Sequence, residues 1–168
     1  INFFDTAEIY SIPPKPDTQG STERIIGNWM KARKNRDKII LASKVAGRST
    51  NTWLRDPPTE ARLNRKQMRE AIDGSLRRLQ TDYLDLYQIH APERPMPWGS
   101  NPNRFSMSDY QPLADESPIA EQLETMGEFV KAGKIRAVGL SNESAWGTMR
   151  FLFESETKGL PRVQTVQN

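Results

Sequence analysis

Four side chains suited to proton transfer lie at or just beyond the ends of apolar stretches in this 168-residue chain. Asp5 ends INFFD and Tyr10 follows it, Lys44 ends KIILASK, and His90, the only histidine, ends YLDLYQIH. A phenol has an ordinary pKa of about 10, and a nearby ammonium group lowers it. A carboxylate keeps that ammonium charged and oriented, while a histidine hydrogen-bonds a substrate oxygen or relays a proton. Together these groups would protonate a carbonyl oxygen while hydride reaches its carbon.

Each of these residues also has a purely structural explanation. Asp5 would cap a turn, Lys44 would be a solvated strand end, and Tyr10 would pack in a loop. A single histidine at a strand end is more often structural than catalytic, and Ser141-Asn142 would equally well open a helix. The structural explanation does not say why five successive apolar stretches all end in groups suited to one reaction.

The apolar spacing predicts five strands alternating with four helices. The strands are the opening stretch to Asp5, Lys38 to Lys44, Tyr83 to His90, Ile135 to Asn142 and Val163 to Asn168. The first helix follows Ser21 as N-cap, and the second runs from Asn64 to Gln80. The third starts at Ser117-Pro118 and ends at Gly133, and the fourth runs from Ser144 to Gly159. Such alternation indicates an α/β fold with a parallel sheet, whose strand carboxyl ends share one edge where ligands bind.

The helices should bury one apolar face each. The predicted inward residues are Ile25, Ile26, Trp29 and Met30 in the first helix, Ile119, Leu123, Met126 and Val130 in the third, and Ala145, Met149, Leu152 and Phe153 in the fourth. The spacing is that of a (β/α)₈ TIM barrel, which needs about 250 residues. We therefore expect residues 1–168 to form a single, incomplete barrel domain and to be a piece of a longer protein.

Composition excludes several classes of function. The net charge of +3 is too small and too evenly spread for a nucleic-acid surface. With no cysteine and one histidine, neither a disulfide nor a metal site is expected, and the lack of cysteine favours a reducing, cytoplasmic location. No apolar run is long enough to span a membrane. A Pro-rich loop over residues 91–117 is long enough to be functional.

Five segments carry a family resemblance. FFDTAEIY, IILASK, DYLDLYQIHAP, GKIRAVGLSN and VQTVQN resemble successive signatures of the aldo-keto reductase superfamily. YSIPPKPDTQGSTERIIGNW and LRRLQTDYLDLYQIHAPERP are most similar to its bacterial Tas-like branch. The resemblance implies the barrel fold, with this chain covering strands 2 to 6, and reduction of a small-molecule aldehyde or ketone by NAD(P)H.

The resemblance also implies roles for individual residues. Tyr10 would be the general acid, Lys44 the partner that lowers its pKa, Asp5 the anchor of Lys44, and His90 the residue that orients the carbonyl. The nicotinamide carboxamide would contact Ser141, Asn142 and Gln167. The loop at 91–117 would shape the substrate pocket, with Trp98 as a candidate substrate contact.

Some expectations stay open at this point. The family's segment for the adenosine 2′-phosphate is not in this chain, so NADP(H) is implied while NAD(H) is not excluded. The substrate, the reaction direction and the oligomeric state are not indicated. A short-chain dehydrogenase is disfavoured, because no tyrosine has a lysine four positions later and no Gly-x-Gly-x-x-Gly occurs. A non-catalytic module that senses the nicotinamide redox state, resembling a channel-associated subunit, and an inactive partial chain are the alternatives.

Overall fold

The computed structural model describes residues 1–96 and 113–168 and contains one five-stranded sheet flanked by helices. The elements in chain order are β1 (Phe3–Asp5), α1 (Ser21–Arg33), β2 (Ile40–Val45), α2 (Arg65–Leu79), β3 (Leu84–Ile89), α3 (Ile119–Lys131), β4 (Ile135–Ser141), α4 (Ala145–Lys158) and β5 (Val163–Gln167). All predicted elements are present, and the predicted strand ends differ from the observed ones by at most two residues. In the predicted loop at 91–117, Trp98 lies outside the described residues.

The sheet is entirely parallel, with its strands in the order β1-β2-β3-β4-β5. Lys44 is in register with Gln88, and Ser141 is in register with Gln167. Each of the first four strands is followed by a helix that returns the chain to the opposite edge, so all five strands end on the same side. The prediction of an incomplete (β/α)₈ barrel is confirmed.

The core lies between the outer face of the sheet and the helices. Side chains alternate along each strand, so Leu41, Tyr87 and Leu140 face the helices while Lys44 and Gln88 face the inside of the curved sheet. Buried members of the helix-facing core include Met30, Met68, Ile72, Leu79, Leu123, Met126, Phe129 and Phe151. Lys44 and Gln88 thus place an ammonium group and an amide on the inner face of the sheet.

Two predicted helix starts are wrong. Helix α1 is preceded by Gly20 as N-cap, in the left-handed conformation with φ of 68°, and Ser21 is already helical. A Cβ atom at position 20 would collide with the Arg78 side chain. This close contact and the positive φ both favour glycine at the position. Helix α3 starts one residue later than predicted, with Pro118 as N-cap. The N-caps Asn64 and Ser144 are confirmed, each accepting from a backbone N–H three residues later at 3.0 Å.

Three predicted apolar faces each include residues that the structure exposes, although Met30, Leu123 and Met126 are buried as predicted. In α3, Phe129 is buried and Val130 is 36% exposed. In α4, Phe151 is buried while Met149 and Phe153 are more than half exposed. In α1, Ile25 is exposed too. Helices α1 and α4 stand at the two ends of the described sheet and have a helix neighbour on one side only, which leaves part of each apolar face uncovered. None of the described helices is long and apolar enough to cross a membrane.

The different exposure of Leu123 and Val130 predicts unequal effects for two substitutions on α3. Leu123→Ala removes a fully buried side chain and should lower the free energy of unfolding by about 2–5 kcal/mol. Val130→Ala removes an exposed one and should change it by less than about 0.5 kcal/mol. Urea denaturation of the purified protein measures both values. Equal losses for the two variants would restore the face predicted from sequence.

Candidate active site

The sheet places the predicted site residues along one edge. Asp5, Ser141 and Gln167 are the last residues of β1, β4 and β5, Lys44 is the second-last residue of β2, and His90 directly follows β3. The strands are parallel and in register, so five segments far apart in sequence deliver these side chains to the same carboxyl edge. All five predicted strand-end positions are brought to that edge.

Lys44 and Asp5 form the ion pair at the centre of this edge. The Lys44 side chain is 1% exposed, and its Nζ donates to Asp5 Oδ2 at 2.5 Å and to the Thr6 carbonyl oxygen at 3.0 Å. The Asp5 side chain keeps 27% of its surface exposed. A buried ammonium group is tolerated only when it is paired and hydrogen-bonded, so this arrangement matches the predicted anchoring of Lys44 by Asp5.

Tyr10 lies over the Lys44 ammonium and beside the imidazole. The distance from Lys44 Nζ to the centre of the Tyr10 ring is 5.3 Å. The Tyr10 and His90 rings meet edge to face, with centroids 5.5 Å apart and an interplanar angle of 78°. The loop that carries Tyr10 turns back at once, since the Tyr10 backbone N–H donates to the Ala7 carbonyl oxygen at 3.1 Å. The structure thus brings Asp5, Tyr10, Lys44 and His90 together.

The expected lowering of the Tyr10 pKa is not found in this arrangement. Burial raises the pKa of the Tyr10 phenol above 10, and the negative charge of Asp5 raises it further. The Lys44 ammonium, which is paired with Asp5, does not reverse these two effects. Sequence reasoning counted the ammonium group and left out the desolvation of the phenol and the field of the carboxylate.

His90 is held as a neutral imidazole. Burial, together with the positive charge of Lys44, lowers its pKa to about 4, although Asp5 acts in the opposite direction. Its backbone N–H donates to the Val45 carbonyl oxygen at 3.0 Å, and its own carbonyl oxygen accepts from Asn142 Nδ2 at 2.8 Å. A neutral ring carries one N–H donor and one acceptor, which suits hydrogen bonding to a substrate oxygen at neutral pH.

The three residues expected to contact a carboxamide lie beside this group. Ser141 is buried, and Asn142 adopts a left-handed conformation with φ of 53°. The Asn142 backbone N–H donates to the Gln167 carbonyl oxygen at 2.9 Å, and its side-chain amide reaches Ser141 Oγ at 3.1 Å. Gln167 Nε2 donates to Asp5 Oδ2 at 3.2 Å. Gln167 therefore contacts the Asp5–Lys44 pair directly, while Ser141 and Asn142 lie beside Gln167 and His90.

Gln88 belongs to the site and was missed by sequence reasoning. It is 2% exposed on the inner face of β3, and its Nε2 donates to Asp5 Oδ1 at 3.1 Å and lies 3.4 Å from Gln167 Oε1. The available signal was its place in LYQIH, where an amide interrupts an otherwise apolar strand two residues before the histidine.

A second buried ion pair fixes the loop that carries Tyr10. Glu8 and Arg55 are both almost fully buried, with Arg55 Nη1 2.9 Å from Glu8 Oε2 and Nη2 3.1 Å from Oε1. Glu8 Oε1 also accepts from the Ala46 backbone N–H at 2.7 Å. These contacts tie the segment after β1 to the segment after β2, and so hold Tyr10 near Lys44.

A cavity of about 380 Å³ is lined in part by Tyr10 and His90. Its lining consists of Ile9, Tyr10, Ile12, Ala46, Gly47, Arg48, Ser49, His90, Ala91 and Asn142. Apolar walls with a few polar groups at one end are typical of small-molecule sites. A larger surface hollow of about 570 Å³, lined by Lys31, Lys34 and Arg36 among others, lies at the opposite edge of the sheet and contains none of these residues. Cavity volume therefore does not identify the functional site in this protein.

Sequence comparisons place the chain among known reductases. The model of the Aldo/keto reductase family matches residues 1–168. The Protein tas of Escherichia coli K12 is 47% identical over 171 residues, covering 100% of this chain and 47% of that protein. The aldo-keto reductase YhdN of Bacillus subtilis is 38% identical over 144 residues, covering 86% of this chain and 34% of that protein. The chain thus spans less than half the length of these relatives.

Two solved structures share the fold. An aldo/keto reductase of Klebsiella pneumoniae, solved in complex with NADP and acetate, is 29% identical with a TM-score of 0.58, covering 91% of this chain and 38% of that one. The holo form of an aldo-keto reductase from Bacillus halodurans is 28% identical with a TM-score of 0.65, covering 99% of this chain and 43% of that one.

The lowered pKa of His90 predicts a pH dependence. An unfolded histidine binds a proton below about pH 6.5, whereas folded His90 resists protonation until about pH 4. Between these values the unfolded state holds more protons, so His90 contributes stability above about pH 6.5 and loses that contribution as the pH falls towards 4.

NMR titration of the His90 ring protons measures this pKa directly. The signal is assigned by its absence from His90→Asn, and we expect a midpoint near pH 4 with no change around neutrality. A midpoint close to 6.5 would mean that the imidazole is solvated and charged when the site operates in mildly acidic solution.

Proposed function

The chain belongs to the aldo/keto reductase family, and we propose that its protein reduces an aldehyde or ketone to an alcohol, with a nicotinamide cofactor as hydride donor. The observation that carries the proposal is the meeting of Asp5, Tyr10, Lys44 and His90 at one edge of the sheet. These side chains come from three segments far apart in sequence, and local structure alone does not require them to converge. Convergent titratable groups beside a cavity are typical of an active site.

The cofactor we propose is NADP(H), with NAD(H) not excluded. A primary carboxamide both donates and accepts hydrogen bonds, and the Ser141 hydroxyl with the amides of Asn142 and Gln167 offers both kinds of partner. The Klebsiella pneumoniae reductase of similar fold was solved with NADP, which supports the same choice here. The reduced nicotinamide would supply the hydride, and the three residues named would hold its carboxamide.

Tyr10 would donate the proton. Its raised pKa keeps the phenol protonated throughout the neutral range, so the acid form is always present. The alkoxide that develops on the substrate is a far stronger base than a phenolate, so the proton moves downhill. The phenolate left behind would form near the Lys44 ammonium, whose attraction offsets part of the cost of that charge.

Lys44 and His90 would prepare the site for this transfer. Asp5 pairs with the Lys44 ammonium and fixes it below the Tyr10 ring. Neutral His90 would donate a hydrogen bond to the carbonyl oxygen and orient it towards the phenol. In this scheme His90 orients the substrate and Tyr10 alone gives up a proton.

The cavity favours a small carbonyl compound with an apolar body. Ile9, Ile12, Ala46 and Ala91 provide apolar walls, with Tyr10 and His90 among the polar groups. Trp98, proposed as a further substrate contact, lies outside the described residues.

Replacing the proposed acid should separate chemistry from binding. In the full-length protein, Tyr10→Phe should lower kcat by about 10²–10⁴-fold, because the carbonyl oxygen loses its proton donor. NADPH affinity, measured by quenching of tryptophan fluorescence, should stay unchanged. Turnover is measured as aldehyde-dependent loss of NADPH absorbance.

Tyr83→Phe is the matched control for that experiment. Tyr83 lies next to the start of β3, at the edge opposite the site, where Arg36 and Arg136 pack on its ring. Its loss of a hydroxyl should leave kcat unaltered. Nearly normal turnover by Tyr10→Phe would remove Tyr10 from the mechanism. Tight NADPH binding by the wild type, without turnover across a broad panel of aldehydes, would favour the non-catalytic, nicotinamide-sensing alternative.

A further inference from the structure

We propose that Gln88 is a positioning residue for proton donation, one that orients Asp5 and thereby Lys44 and joins both to the cofactor contact Gln167. The inference rests on the proposed function and adds to it a residue that the reacting atoms do not touch. It concerns the inner face of the sheet, one layer below the Tyr10 phenol.

Gln88 and its partners use every oxygen of the Asp5 carboxylate. Oδ1 accepts from Gln88 Nε2 at 3.1 Å, whereas Oδ2 accepts from Lys44 Nζ at 2.5 Å and from Gln167 Nε2 at 3.2 Å. A carboxylate only accepts, so the nitrogen of the Gln88 amide must face Asp5. With Oδ1 held by Gln88, the plane of the carboxylate is set and Oδ2 is directed at Lys44.

The hydrogen bonds of the Gln88 amide indicate why an amide is buried at this position. Within residues 1–96 and 113–168, its side-chain hydrogen bonds go only to Asp5 and Gln167. Burying an amide costs free energy unless it is hydrogen-bonded, and leucine would fill a similar volume without that cost. Packing alone therefore does not account for glutamine at this position.

The neighbouring strand is shaped to admit this side chain. Gly139 is in register with Gln88, and a Cβ atom at position 139 would lie 2.9 Å from Gln88 Cγ and would also collide with Thr165. Ladder pairing between β4 and β5 shifts at the same place, between Val138 and Gly139. The sheet leaves room at one position for an amide that reaches across to Asp5.

Two substitutions at position 88 would act differently if the amide positions Asp5. Gln88→Leu keeps the volume and removes the donor, so Asp5 Oδ1 loses a partner and the Lys44 ammonium loses its fixed position. Gln88→Glu keeps the shape and can donate only while protonated. The charged groups that face this position are Asp5 on β1 and Lys44 on β2, while Gly139, Thr165 and Gln167 on β4 and β5 are uncharged.

The experiment measures kcat, KM and the pH profile of kcat in the full-length protein. We expect Gln88→Leu to lower kcat about 10- to 100-fold with KM changed less than about threefold, since misplacement of a catalytic group costs that much. For Gln88→Glu, we expect kcat to fall as rising pH ionises the new carboxyl beside Asp5, a slope absent from the wild type. If Gln88 had only a structural role, the substitutions would not lower kcat selectively relative to KM and would not add a pH dependence to kcat.

Gln122→Leu is the matched control. Gln122 on α3 is also almost fully buried, and its amide donates to the Ser117 carbonyl oxygen at 2.8 Å, so the same change removes a buried amide elsewhere. We expect it to lower the melting temperature with kcat unaltered. The proposal is overturned if Gln88→Leu keeps kcat within twofold of the wild type, or if Gln122→Leu lowers kcat equally.

A readout without turnover separates this proposal from the proposed function. The side-chain amide protons of Gln88, assigned by their absence from Gln88→Leu, should be protected from exchange in the wild type and lose protection in Asp5→Leu, which leaves no acceptor at position 5. If the wild type reduces no carbonyl compound, the proposed function is refuted. Exchange of the Gln88 amide protons then still tests whether Gln88 is hydrogen-bonded to Asp5. Unprotected amide protons overturn the inference whatever the activity.

Discussion

The Lys44 side chain is 1% exposed, and a charge so far removed from water is tolerated only when it is paired with an opposite charge and hydrogen-bonded. Asp5 supplies the charge, the Thr6 carbonyl oxygen supplies a second acceptor, and Gln88 holds Asp5 in place. Because β1, β2 and β3 are adjacent and parallel, these groups meet across the inner face of the sheet. The pairing of the Lys44 charge therefore depends on the order of these strands in the sheet.

This pairing has a consequence for the phenol above it. The net effect on Tyr10 is a raised pKa, because burial of the phenol and the Asp5 carboxylate both disfavour the phenolate. Burial and the Lys44 ammonium lower the pKa of His90, so the phenol and the imidazole are both uncharged at neutral pH. A pocket with neutral donors above a paired charge can receive an uncharged carbonyl compound without first desolvating a free ion.

Much of the fold follows from residue patterns. Apolar runs ending in polar groups located all five strands, because strands buried between helices and a curved inner face need continuous apolar sequence. Periodicity could not choose between Phe129 and Val130 for the inner face of α3, since both continue the stripe from Met126 at helical spacing. The start of α1 at Gly20 depends on the distant Arg78 side chain, which no local pattern contains.

The site was only partly predictable for the same reason. Polar residues at strand ends were identified from the sequence, whereas Gln88 lies inside a strand and the Glu8–Arg55 pair joins loops 47 residues apart.

The pairing of Lys44 with Asp5 is the interaction on which the site depends. A double-mutant cycle of Asp5→Asn and Lys44→Met, measured on the free energy of unfolding, tests it most directly. The account predicts a coupling energy of about 2–3 kcal/mol, with the double variant more stable than Asp5→Asn alone. Additive effects of the two substitutions would contradict it.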